Sequence, residues 1–159
     1  MNQIFRILIV FVTFHFNTAA IKAQLSDNFP KEVQSLILSK PDDLKGKEIE
    51  KQNSATIYQP LLSLTGFDLK YVTSILGNSL SAVYLSKGTD SIMDNIYEKL
   101  NQIPFLIFDS KYKAGLIGKG FMDQSIARKI KVKSSDTGKD VLIVTLDKSA
   151  IIRLEFLNK

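Results

Sequence analysis

The chain has 159 residues, with 21 basic and 16 acidic side chains for a formal charge of +5, a single histidine and no cysteine or tryptophan. No disulfide framework, lipid-attachment cysteine or cysteine redox chemistry is available to it. His15 falls in an N-terminal leader, so the rest of the chain also lacks Ser-His-Asp and Cys-His nucleophile systems, ordinary zinc sites and the commonest general base near neutral pH.

Residues 1–23 read as a secretory signal peptide. Arg6 supplies the positive start, Ile7 to Phe16 an apolar run, and Thr18-Ala19-Ala20-Ile21-Lys22-Ala23 small residues for cleavage. Cleavage after Ala23 is favoured, and after Ala20 is the alternative. The apolar run is about half of the ~20 residues a spanning helix needs, so no stable transmembrane segment is expected once the leader is removed. The leader holds two of the basic residues, Arg6 and Lys22, and no acidic one, leaving +3. That mild charge does not indicate a nucleic-acid partner. Residues 24–159 are expected to form one domain, exported to the periplasm or outside a Gram-negative cell.

In chain order, Asp27-Asn28-Phe29-Pro30 opens a helix with Phe29, Val33, Leu36 and Ile37 on one face, ended by Lys40-Pro41. Residues 41–54, polar and of mixed charge, read as a flexible connector. Ala55 to Leu64 is either extended or a short helix near Pro60. The spacing of Leu69, Val72, Ile75 and Leu76 predicts a helix over 69–76, with Asp68 as N-cap and Gly77 as its left-handed stop. A short strand is expected over 79–86. A helix follows, capped by Thr89 or Ser91, with Ile92, Met93, Ile96, Tyr97 and Leu100 buried, and it stops before Pro104.

Phe105 to Phe108 is a compact apolar strand. The last thirty residues carry three more: 129–133, 141–146 and 151–156. In the first, Ile130 and Val132 alternate with three lysines; the second is apolar on both faces; in the third, Ile152, Leu154 and Phe156 alternate with Arg153 and Glu155. The expected fold class is α+β: N-terminal helices packed on a C-terminal antiparallel sheet, a three-stranded meander with 141–146 in the middle, extended by 105–108. No internal repeat is visible in the sequence.

The chemical candidates are sparse. Gly115, Gly118, Lys119 and Gly120 miss the spacing and terminal hydroxyl of a phosphate loop. Asp42, Asp43, Glu48 and Glu50 lack the spacing of a calcium loop. Asp90, Asp94 and Glu98 follow one another by four and could supply a His-free hydrolase with carboxylates. Ser134, Ser135 and Lys139 sit across a turn that offers no burial to activate the lysine. No catalytic, metal or cofactor residue is therefore assigned. The aromatic group Phe105, Phe108, Tyr112 and Phe121 is the candidate surface for a ligand or partner.

Leu64-Thr65-Gly66-Phe67-Asp68-Leu69-Lys70-Tyr71-Val72-Thr73-Ser74-Ile75-Leu76-Gly77, together with the hairpin from Leu142 to Phe156, resembles the fold of the small lipoprotein of the outer-membrane β-barrel assembly machinery and of β-lactamase-inhibitor-like proteins. Asn78 stands where that family has a proline, and the lipidated cysteine is missing. The resemblance implies two helices on an antiparallel sheet and action by binding other proteins. The expected function is thus a non-enzymatic binding module of the cell envelope whose partner is another envelope or secreted protein. The alternative is a small-molecule or lipid carrier with an apolar pocket between the sheet and helix 90–101, lined by Phe105, Phe108 and Phe121.

Overall fold

The computed structural model describes residues 25–108 and 126–157. Its elements run α1 (Phe29–Leu38), a 3-10 turn (Pro41–Leu44), β1 (Lys47–Gln52), β2 (Ala55–Gln59), β3 (Phe67–Ser74), β4 (Gly77–Tyr84), α2 (Asp90–Leu100), β5 (Leu106–Phe108), β6 (Ile126–Ser134), β7 (Asp140–Asp147) and β8 (Ile152–Phe156). The strands form one sheet in the order β1-β2-β3-β4-β8-β7-β6-β5, every pair antiparallel. A helix followed by a four-stranded meander thus occurs twice, and the two units join through β4 and β8. Because β4 and β8 run antiparallel, the repeat corresponds to an approximate two-fold axis normal to the sheet.

This overturns the expected division into N-terminal helices and a three-stranded C-terminal sheet. Among the described residues the sheet is the body of the molecule, and two short helices accompany it. The expected helix over 69–76 is instead β3 and its turn. Phe67, Leu69 and Tyr71 are buried and alternate with Asp68, Lys70 and Val72, a period of two that dominates the helical spacing of Leu69, Val72, Ile75 and Leu76. Tyr71, Val72 and Thr73 are aromatic or β-branched and suit a pleated surface. Gly77 is no helix stop; its φ of +123° falls just after the β3–β4 turn. The expected connector 41–54 contains β1, which is exposed along its whole length. A strand held only by pairing with β2 buries neither face, so it carries no alternation to read.

The core lies between one face of the sheet and the two helices. Leu69, Tyr71, Leu80, Ala82, Val132, Leu142, Val144, Ile152 and Leu154 point inward from five strands and meet Phe29, Val33 and Leu36 of α1 and Ile92, Met93, Ile96 and Leu100 of α2. Each such aliphatic burial contributes about 1.5–3 kcal/mol. The rings of Phe29 and Phe67 lie 5.8 Å apart, and those of Tyr97 and Phe108 4.6 Å, which places both helices on the same face. Thr89 caps α2 by accepting from the amide of Ile92 at 3.3 Å. Glu32 ties α1 to the β2–β3 loop, accepting from the amide and hydroxyl of Thr65 at 2.9 and 2.8 Å. At the sheet edges, β1 is charged and irregular between Glu48 and Glu50, and β5 has only three residues. Both features discourage pairing with a further strand.

Candidate functional site

Strand register gathers several turns at one end of the sheet. Ser74 pairs with Gly77, Leu80 with Phe156, Phe156 with Leu142, and Leu106 with Ser134. The β1–β2 turn, the β3–β4 turn and the β6–β7 turn therefore share that end, as does the connection from α2 into β5.

A cleft of about 510 Å³ opens there, between the C-terminal half of α1 and the β6–β7 turn. Ile37, Leu38, Phe105 and Val141 give it apolar walls, and Gln34, Ser134, Asp136, Thr137 and Lys139 a polar rim. The turn is self-bonded: Ser134 donates its amide to the Lys139 carbonyl and accepts at its own carbonyl from the Gly138 amide. The Ser135 amide donates to the Phe105 carbonyl at 2.8 Å, which holds Phe105 against the cleft. Such a cavity can take an apolar group and orient it by the rim.

On the same end, Ile75 and Leu76 form the tip of the β3–β4 hairpin, 86% and 95% exposed. They lie in a charge-free run from Tyr71 to Ser86, and a second charge-free run extends from Gln52 to Phe67. Residues 52–86 hold only Asp68 and Lys70 as charges, in a chain that is 23% charged. The sheet face opposite the helices carries half-buried Ile57, Val72 and Val83 in this region; Ile57 and Val72 sit opposite each other in register.

Of the aromatics singled out from the sequence, Phe105 lines the cleft. Phe108 packs on Tyr97 instead, and Tyr112 and Phe121 lie outside the described residues. The cleft that takes Phe105 is walled by α1 rather than by helix 90–101. Asp90 and Asp94 are exposed and both pair with Arg128 of β6, so they tie α2 to the sheet rather than face a cleft. Among the described residues, no group of three or more His, Cys, Asp or Glu is placed to hold a metal ion. Also among them, no helix is long and apolar enough to cross a membrane. Burial pushes the Tyr71 hydroxyl above its ordinary pKa, with Lys45 opposing and Asp42 and Tyr58 reinforcing the shift, and burial raises Tyr84 as well. Neither tyrosine lines the cleft.

Sequence reasoning missed Ile37 and Leu38 as cleft walls and the Ile75–Leu76 tip, because a helix assigned to 69–76 hides the tip in a stripe. The charge-free runs were the available signal. No protein-family model matches the chain, and searches of curated proteins and of solved structures likewise return no match. No relative therefore suggests catalysis.

Proposed function

We propose that the protein is an exported, non-enzymatic binding module of the cell envelope, acting in the periplasm or outside the cell on another envelope or secreted protein. The observation that carries this reading is the charge-poor sheet face of β2, β3 and β4. Both helices lie on the opposite face, and Ile57, Val72 and Val83 stand outward among Ser79 and Ser81, with Asp68 and Lys70, paired with each other, as the charges of these strands on this face. Depletion of charge with scattered aliphatic residues is the composition of a protein interface core. The leader-like N-terminus, read from sequence, supplies the export. The resemblance of 64–77 and 142–156 to small envelope-assembly and inhibitor-like proteins points the same way.

The test is in-cell crosslinking of the exported protein, compared with a Val72→Lys/Val83→Glu variant. A defined partner crosslinked by the wild type and lost from the variant supports the reading. Identical crosslinks from both proteins reject this face as the binding surface.

The cleft favours a second reading, a carrier of a small apolar molecule, with Phe105, Ile37 and Val141 as its walls. Native mass spectrometry of the purified protein would show a retained ligand whose loss accompanies Val141→Asp. A mass equal to that of the bare chain under gentle conditions rejects it.

A further inference from the structure

The face of the sheet turned away from the helices changes character along its width. Its β2–β3–β4 half is charge-poor, and its β6–β7–β8 half is basic. Ile130 and Val132 of β6 are buried in the core, so Lys129, Lys131 and Lys133 stand on the outer face. Arg153 stands there too, between buried Ile152 and Leu154 of β8. Register sets Thr145 between Arg153 and Lys129, which places two cations on one line across the sheet about 10 Å apart. Lys131 pairs with Asp140 at 2.9 Å. Among the described residues, neither Lys129 nor Arg153 has a carboxylate at ion-pair distance. Ile107 of β5 lies opposite Lys133 in register and is 52% exposed. The helix layer has the opposite sign, since α2 carries Asp90, Asp94 and Glu98 against Lys99 alone.

We propose that the outer face of β5–β8 rests on an anionic phospholipid surface, with Lys129, Lys131, Lys133 and Arg153 at the headgroup phosphates, Ile107 at the interface and α2 turned away. Charge complementarity requires an anionic partner, because those four cations stand against two carboxylates, Asp140 and Glu155. The residue types then choose among anionic partners. Lysine is depleted from protein interfaces, which favour aromatic residues and arginine. Single-stranded nucleic acid is held on aromatic platforms. Among the described residues no aromatic side chain stands on this half of the face; Ile107, Ile143 and Thr145 lie between the charges. A lipid surface needs neither a pocket nor a fixed geometry, because each lysine or arginine brought near it strengthens binding by about fivefold. A few cations and one aliphatic side chain make the attachment weak, reversible and sensitive to salt. The sheet turns by about 20–25° from strand to strand, so the three steps from β3 through β4 and β8 to β7 aim the two halves of this face about 60–75° apart. Lipid and protein partner can therefore be held together, and the two assignments stand or fall independently.

Cosedimentation of the purified protein with phosphatidylcholine vesicles, with and without about one third phosphatidylglycerol, tests this. The expected result is binding to the anionic vesicles alone, lost when salt rises from about 0.1 to about 1 M. Lys129→Glu/Arg153→Glu should weaken it at least about tenfold with an unchanged unfolding midpoint, and Lys129→Gln/Arg153→Gln by an intermediate amount. Lys31→Glu/Lys40→Glu changes the net charge equally on the helix side and should bind as the wild type does. Equal binding to neutral vesicles overturns the proposal, as does no binding to anionic ones. Equal losses from the two glutamate pairs overturn it too, because net charge rather than this face would then be responsible. If vesicles are not bound but a crosslinked partner is lost from the Lys129→Glu/Arg153→Glu protein, the face belongs to an acidic protein and the lipid assignment is rejected.

Discussion

The β3–β4 and β7–β8 hairpins occupy equivalent places in the two repeated units, yet their turns are spent differently. In β7–β8, the Asp147 carboxylate accepts from the amides of Ser149 and Ile151 at 2.8 and 3.0 Å. The Ala150 carbonyl accepts from the Gly88 amide at 2.6 Å, which ties the turn to the chain entering α2. In β3–β4, the Ser74 hydroxyl donates to the Gly77 carbonyl and accepts from the Leu76 amide, so the backbone is satisfied locally. Its two aliphatic side chains then go to water. One turn is consumed by the fold, and the other is left bare. Among the described residues the tip is exposed, whereas the other turn is tied into the fold.

The comparison is sharpened first where the two hairpins are alike, in their inward faces. Leu142 of β7 and Leu69 of β3 are both buried against the helices. Leu142→Ala and Leu69→Ala should each cost about 2–5 kcal/mol in urea unfolding. Both should shift a single transition, because the sheet is continuous through β4 and β8. Two resolved transitions, each answering to one substitution, would show that the repeated units unfold separately.

The next effect belongs to the anchored turn alone. A Cβ on Gly88 would lie 2.6 Å from the Ile152 Cγ1, 2.9 Å from the Leu146 Cδ1 and 3.0 Å from the Ala150 carbonyl oxygen. Gly88→Ala should therefore cost about 1–3 kcal/mol by overpacking. Ala150 holds a φ of +62°, where residues other than glycine are strained. Ala150→Gly should stabilise by up to about 1 kcal/mol, and a loss of stability would mean that its methyl packs usefully.

Tyr71 separates the units chemically. It is fully buried, and its hydroxyl has no hydrogen-bond partner among the described residues. Tyr71→Phe should be neutral or stabilising by up to about 1 kcal/mol at pH 7, since the orphaned hydroxyl is removed without a cavity. Burial raises the folded-state pKa of Tyr71 and Tyr84 above 10.0. Their contribution is thus fully present below pH 10 and lost as pH rises through the folded values. Unfolding measured above pH 10 should show that loss, and Tyr71→Phe should reduce it. An unaltered alkaline profile would mean that Tyr71 meets water or a base when it ionises.

These particulars also show where the sequence was legible. The helix beginning at Phe29 and the alternation in 129–133 and 151–156 each followed one period and correspond to an element in place, and of the two caps offered for the second helix, Thr89 and Ser91, the structure uses Thr89. The N-terminal strands were obscured for two physical reasons. β1 buries nothing, so its charges follow no face. β3 is followed by the turn Ile75-Leu76, whose apolar character belongs to no buried stripe but extends the pattern to a false helical one. The repeat was hidden because the topology is duplicated while the residues are not: a polar, side-chain-bonded turn at Asp147 stands opposite an aliphatic one at Ile75. Phe105 was singled out for its aromatic company and lines a cleft, but the α1 side of that cleft needed the sheet order, which carries β5 to the far edge.

The smallest effect on folding is the one that decides how the bare turn is understood. Ile75→Ser/Leu76→Ser removes two large aliphatic side chains and should change the unfolding free energy by less than about 0.5 kcal/mol, because both are already in water in the folded chain. Ser74 and Gly77 still close the turn, and neither substitution asks for a backbone conformation that serine cannot adopt. The matching change at the other turn, Asp147→Ala, leaves the Ser149 and Ile151 amides without their acceptor and should cost about 1 kcal/mol or more. If the serine pair cost as much as Asp147→Ala in dilute solution, the tip would be packed within its own chain and the contrast between the hairpins would vanish.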